Sequence, residues 1–326
     1  MSELHIELDD PSVTIGTEVA MFSISVIGLL FNGLVVYITL FRHKSRHIAI
    51  WIMAFIAMLD IGFALTVIAT QISKWVTLHQ VLANPRFCQY SGLVYMLSVI
   101  TSIDAVGILS LIRCIAIVYN VSIRGIYWYI TIGLLLIFNT IFSIFGVIYE
   151  IMRVMPSQAY CQPSFRKNPF SKLYSIVIIG KFFLMLFIVI TSYILITIKY
   201  CKLLSAFNSK SNATKDCSVG TRPTLVFQRG VIIRLIVLVF MYMLCFLPEL
   251  LTLVYNLATN TQRDPIADAI SGATMNLTIL VNSVFVLFYH EETQGILISL
   301  LPSWIYRTNS DADIFNTSDF KINTDP

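Results

Sequence analysis

Residues 49–73 read AIWIMAFIAMLDIGFALTVIATQIS, and Asp60 is the single charge among them. A helix needs about 20 predominantly apolar residues to cross roughly 30 Å of hydrocarbon, so this stretch is a membrane span. A carboxylate near the bilayer centre costs about 2.5–3.5 kcal/mol on insertion scales and is usually kept for function. Asp60 is therefore the first residue to be explained.

Six further apolar blocks flank it, at about 19–41, 89–112, 127–149, 173–198, 231–257 and 267–289. The third is the weakest, because it carries Asp104 and several serines. The fold class is an all-α membrane protein, a seven-transmembrane helix bundle. Composition agrees: 57% of the 326 residues are hydrophobic and 12% charged, against about 45–50% and about 25% in soluble domains. A net charge of +4 does not suggest nucleic acid as a partner. Six cysteines without a CxxC pair argue against a zinc or dithiol motif. Met1 to Glu18 contains no Lys or Arg, so no signal-peptide pattern precedes the first span, which must itself target the chain.

Orientation follows from Lys and Arg in the connections, since cytoplasmic segments retain positive charge. With the N-terminus outside, the inner segments hold 14 and the outer ones seven, four of them in the 150–172 loop. The chain divides into an extracellular N-terminus at 1–18, the bundle at 19–301 and a polar, disordered cytoplasmic tail at 302–326. After the last span, HEETQGILISLLPSW (His290 to Trp304) has a polar start and an apolar remainder that suit a short interfacial helix ended by Pro302.

Particular residues narrow the reading. The first span contains FNGLVV with Asn32, the second AMLDIGFAL with Asp60, and the third ends SLIRCIAIVY with Arg113. This resembles the signature of rhodopsin-like (class A) G-protein-coupled receptors, with an Asn, an Asp and a DRY-type Arg on helices 1 to 3. Cys88 precedes Arg113 by 25 residues and Cys161 lies in the next outer loop, so the resemblance implies a Cys88–Cys161 disulfide. MLCFLPELL resembles the CWxP motif, with Phe246 for Trp and Pro248 retained. In LVNSVFVLFYHEE, Asn282 and Ser283 resemble the Asn-Pro of NPxxY with the proline lost, and a shifted alignment would use Tyr289. Other positions depart from the family: Ile112 stands for the acid of DRY, Cys114 for its Tyr and Met185 for the helix 5 proline, while Trp128 comes too early in helix 4.

The resemblance implies an extracellular ligand, a heterotrimeric G protein, the plasma membrane as location and no enzymatic activity. It places Arg113, Tyr193, Tyr242, Phe246, Pro248 and Asn282 in coupling and activation, with helix 6 swinging outward. Ile112 and Gln228 offer Arg113 no acidic partner, which predicts elevated basal signalling. Tyr95, Lys181, Phe246, Glu249 and Asn276 are the expected ligand contacts and suit a small polar or zwitterionic molecule. Lys181 has a second reading, a structural pair with Asp104. Asp60, Ser102 and Asn282, with Asn32 through water, form a polar core that is either a Na⁺ site of oxygen ligands or a hydrogen-bonded cluster.

Other functions fare worse. No lysine lies in 267–289 to hold retinal. His5, His43, His47, His79 and His290 fall in loops or at span ends, which gives an intramembrane metalloenzyme no ligands. An odorant-type ligand-gated channel with its N-terminus inside, or a bundle that does not signal, are the remaining alternatives.

Overall fold

The computed structural model describes residues 8–42, 48–121, 123–163, 169–213, 221–259, 261, 263–289 and 291–300. Six spans are built on α1 (Pro11–Tyr37), α2 (Ile48–Val76), α3 (Pro85–Cys114), α4 (Gly125–Ile148), α5 (Pro169–Ala213) and α6 (Thr221–Thr259). The seventh is split into α7 (Pro265–Asn276) and α8 (Thr278–Tyr289), and α9 (Glu291–Leu300) follows it. The expected short helix is thus present; the tail at 302–326 lies outside the described residues.

The helices start where local chemistry starts them. Asp10, Asn84 and Asp264 each precede a proline, and their side chains accept backbone N–H bonds from the first turns of α1, α3 and α7. An Asx N-cap satisfies donors that the helix leaves open, and Pro at the first position loses nothing there. α5 also opens on a proline, Pro169. Because the spans alternate in direction, these odd-numbered starts all lie at one end of the bundle, here called the N-terminal rim. Asp10 is exposed; the Ser12 hydroxyl and then the Val13 amide hold its carboxyl below the ordinary range. α1 begins eight residues before the expected start of the first span, and Thr14, Thr17 and Glu18 are buried against the bundle.

Polarity is inverted relative to a soluble protein. Leu30, Leu134, Phe187 and Leu251 are each at least 60% exposed, whereas Ser25, Asn32, Asp60, Asn139, Ser143 and Ser271 are at most 1% exposed. Small and polar residues let membrane helices approach closely, and lipid covers the apolar ones. At Gly28 of α1, a Cβ would fall 2.4 Å from Ile279 Cγ2 of α8, so this glycine brings the first and seventh spans together. α3 runs through the middle, in contact with α2, α4 and α5, while α6 packs on α5, α7 and α8. At about 1.5 Å per residue the 45 residues of α5 span roughly 68 Å, so the helix projects well past the far rim.

The connection after α4 forms a small antiparallel hairpin, β1 (Met152–Val154) and β2 (Cys161–Pro163), with Val154 opposite Cys161. A disulfide joins Cys161 to Cys88 in the first turn of α3, with Cα atoms 5.5 Å apart. Met152 and Ala159 are fully buried and Tyr160 nearly so. The hairpin therefore fills the mouth of the bundle at the N-terminal rim, where only a loop was expected.

Candidate functional site

Asp60 of α2 lies at the centre of a polar core. Its Oδ1 accepts a hydrogen bond from Ser102 Oγ of α3 at 3.0 Å, and its Oδ2 accepts one from Asn282 Nδ2 of α8 at 2.8 Å. Asn282 Oδ1 in turn accepts from the Tyr242 hydroxyl of α6. One chain of hydrogen bonds thus links helices 3, 2, 7 and 6. Ser283, where the family has proline, donates to the carbonyls of Ile279 and Leu280 at 3.1 Å. Asn32 braces the same level by donating to the carbonyls of Gly28 (2.9 Å) and Ile279 (3.0 Å).

Towards the far rim the core opens into a cavity of about 30 Å³ whose lining includes Asn32, Arg113, Tyr193, Tyr242 and Asn282. Such a volume holds one or two waters, since one needs roughly 10–15 Å³. The Arg113 guanidinium points into it. It donates to Met53 Sδ at 3.8 Å and lies 5.4 Å from the centre of the Phe285 ring. Among the described residues no carboxylate pairs with Arg113. The side chain of Gln228 lies outside the described residues.

At the N-terminal rim the polar groups include charged ones, and these are paired. Arg263, between α6 and α7, grips Glu249 with both terminal nitrogens, at 2.8 and 3.0 Å, and reaches Asp268 Oδ1 at 3.3 Å. Ser271 also donates to Glu249. The Tyr160 hydroxyl lies 2.7 Å from Asp268 Oδ1 and 3.0 Å from the Asp268 carbonyl, and Ser157 N–H donates to Asp268 Oδ2 at 3.1 Å. Burial first, then the charges of Asp268 and Glu249, push the Tyr160 phenol well above its ordinary range. It therefore stays protonated as a donor. A second cluster ties α1 to α2, where Glu18 accepts from Lys74 (2.5 Å), Trp75 Nε1 (2.8 Å) and His79 Nε2 (3.1 Å). Lys74 also donates to the Ala159 carbonyl of the hairpin.

The family model of seven-transmembrane receptors of the rhodopsin family matches residues 31–285. The chain belongs to this receptor family. No curated protein matches it. The receptor is a multi-pass membrane protein.

Several expected site residues of the receptor have partners within the protein. Lys181 pairs with Asp104 at 2.7 Å and donates to Asn139 Oδ1, so of its two readings the structural pair is the one formed. Asn276 turns to helix 1, donating to the Met21 carbonyl (2.8 Å) and Ser25 Oγ (3.1 Å). Glu249 is occupied by Arg263 and Ser271, although it also lines a cavity of about 20 Å³ with Met96, Phe182 and Met275. Tyr95 lies under the hairpin, stacked on Tyr160. Phe246 packs edge-on to Phe182 and stacks on Tyr242, lining a cavity of about 30 Å³. The register of the seventh span follows from Asn282 meeting Asp60; the side chain of Tyr289 lies outside the described residues.

As arranged, the polar core is closed by hydrogen bonds between protein groups. Both oxygens of Asp60 already accept protein hydrogen bonds, and Asn282 turns its amide nitrogen, not its oxygen, toward the carboxylate. The neighbouring cavity is lined by neither Asp60 nor Ser102. Tyr160, Arg263 and Asp268 went unnoticed in sequence because they lie in connections or at a helix start. The one available signal was RDPIAD, residues 263–268, where a cation and two acids flank a helix-starting proline.

Proposed function

We propose that this chain is a G-protein-coupled receptor of the plasma membrane, with its N-terminus outside, that senses a ligand at the N-terminal rim and activates a heterotrimeric G protein at the far rim through outward movement of helix 6. The observation that carries this reading is the hydrogen-bonded chain from Ser102 through Asp60 and Asn282 to Tyr242. It makes the position of helix 6 depend on the buried polar core. Pro248 lies six residues beyond Tyr242 along helix 6 and removes one backbone donor there. The helix can hinge at that point, so that contacts made by its outer half move its inner half. The inner half packs near Arg113, whose charge meets a thioether and a ring among the described residues.

The test is expression of the full chain in cells carrying a promiscuous G protein, beside an Arg113→Ala variant at matched surface level. Signal above mock cells without added ligand, lost in Arg113→Ala, is expected. An N-terminal tag should be accessible on intact cells and a C-terminal tag only after permeabilisation. A reversed tag result, or a wild-type signal that Arg113→Ala leaves intact, would remove the reading.

A further inference from the structure

The ring of Tyr160 occupies a slot that the bundle shapes around it. On helix 7 the slot is floored by Gly272: a Cβ there would fall 2.3 Å from Tyr160 Cε1 and 2.8 Å from Cζ. Any side chain at 272 would expel the ring. From helix 3, Tyr95 stacks on it with planes 14° apart and centroids 5.9 Å apart. At the end of the slot, Asp268 offers a carboxylate oxygen and a carbonyl to the hydroxyl. The slot is thus complementary to a flat ring that ends in a hydrogen-bond donor.

The occupant is also wired to helix 6. Asp268 shares Arg263 with Glu249, and Glu249 directly follows Pro248. The Cys88–Cys161 bond anchors the hairpin to helix 3 at the residue next to Tyr160, so the ring is held beside a covalent link.

We infer that Tyr160 is a tethered ligand: its phenol fills a receptor subsite between helices 3 and 7, and a diffusible phenol-type molecule engages the same subsite when it displaces that ring. This rests on the receptor reading for its signalling consequence, but not for the binding itself. The apparent affinity of a free phenol is low in the wild type, because binding requires the attached ring to leave. With the ring removed, the slot is vacant and the free molecule binds directly.

The experiment uses full-length protein purified in detergent, with p-cresol as a copy of the tyrosine side chain and toluene as the same ring without a donor. Tyr160→Ala should melt several degrees below wild type. Millimolar p-cresol should recover at least half of that loss, toluene clearly less, and wild type should not shift. Equal effects of p-cresol on wild type and variant, or no recovery in the variant, would overturn the subsite. Should Tyr160→Ala not fold, Tyr160→Phe keeps the ring and removes only the donor. It should melt below wild type and ignore p-cresol; a wild-type melting point would overturn the role of Asp268. In cells, p-cresol should change signalling at least twofold in Tyr160→Ala and not in wild type. Recovery of melting without any G-protein signal in either chain would sink the coupling reading and leave the subsite standing.

Discussion

The two ends of the bundle hold their polar groups in opposite ways. At the N-terminal rim, Arg263 is divided between two carboxylates, Glu18 collects three donors, and the hairpin is bonded to helices 2, 3 and 7. At the far rim, Arg113 faces a sulfur, an aromatic ring and two tyrosines around a cavity of about 30 Å³. Charge pairs in a low-dielectric interior are costly to separate, whereas contacts with sulfur and ring faces are individually small. The rim is thus a fixed frame and the far end is the part that rearranges at low cost.

The largest effect should come from breaking the frame. Arg263→Ala leaves Glu249 and Asp268 buried without their cation; removing one partner of a buried pair typically costs about 3–5 kcal/mol. Thermal unfolding of the solubilised protein should show a large fall in melting temperature, or the variant should fail to accumulate. A melting point close to wild type would mean that the rim is not the stiff end. The middle of the bundle should respond less. Tyr242→Phe strands Asn282 Oδ1, a buried acceptor, at about 1–3 kcal/mol. The same variant uncouples helix 6 from Asp60, so a modest loss of stability should accompany higher ligand-free signalling. Stability loss with unchanged signalling would separate the polar core from the movement of helix 6.

Legibility in sequence followed the same division. Asp60, Ser102 and Asn282 could be brought together from sequence because the resemblance to rhodopsin-like receptors assigns those motif positions to one polar core, with Ser102 eleven residues before Arg113. Depth is not direction. Asn276, Lys181 and Glu249 lie at workable depths, yet helix 1 takes the first, Asp104 the second and Arg263 the third. Which face of a helix meets which neighbour depends on rotations that a uniformly apolar span hardly encodes, since lipid-facing and core-facing positions are both hydrophobic. The rim cluster was hidden for a second reason: Glu18, Arg263 and Tyr160 belong to segments read as termini and loops, and their partners are up to 108 residues away. The Asx-Pro pairs at Asp10, Asn84 and Asp264 cap helix starts and mark that rim, but say nothing of what crosses it.

The smallest effect belongs to the far rim, and it sharpens the contrast because stability and signalling should part there. Phe285→Leu removes the ring face beside Arg113 while keeping an apolar side chain of similar reach. A partly shielded cation–π contact is worth about 0.5–1 kcal/mol, so the melting temperature should move by a degree or two, within reach of careful thermal unfolding. Signalling should rise by more than that small loss suggests, since Met53 would then be the one remaining neighbour whose atoms directly hold the guanidinium among the described contacts. A stability loss as large as that of Arg263→Ala would show Phe285 to be part of a rigid core, and the distinction between a fixed rim and a yielding far end would no longer describe this receptor.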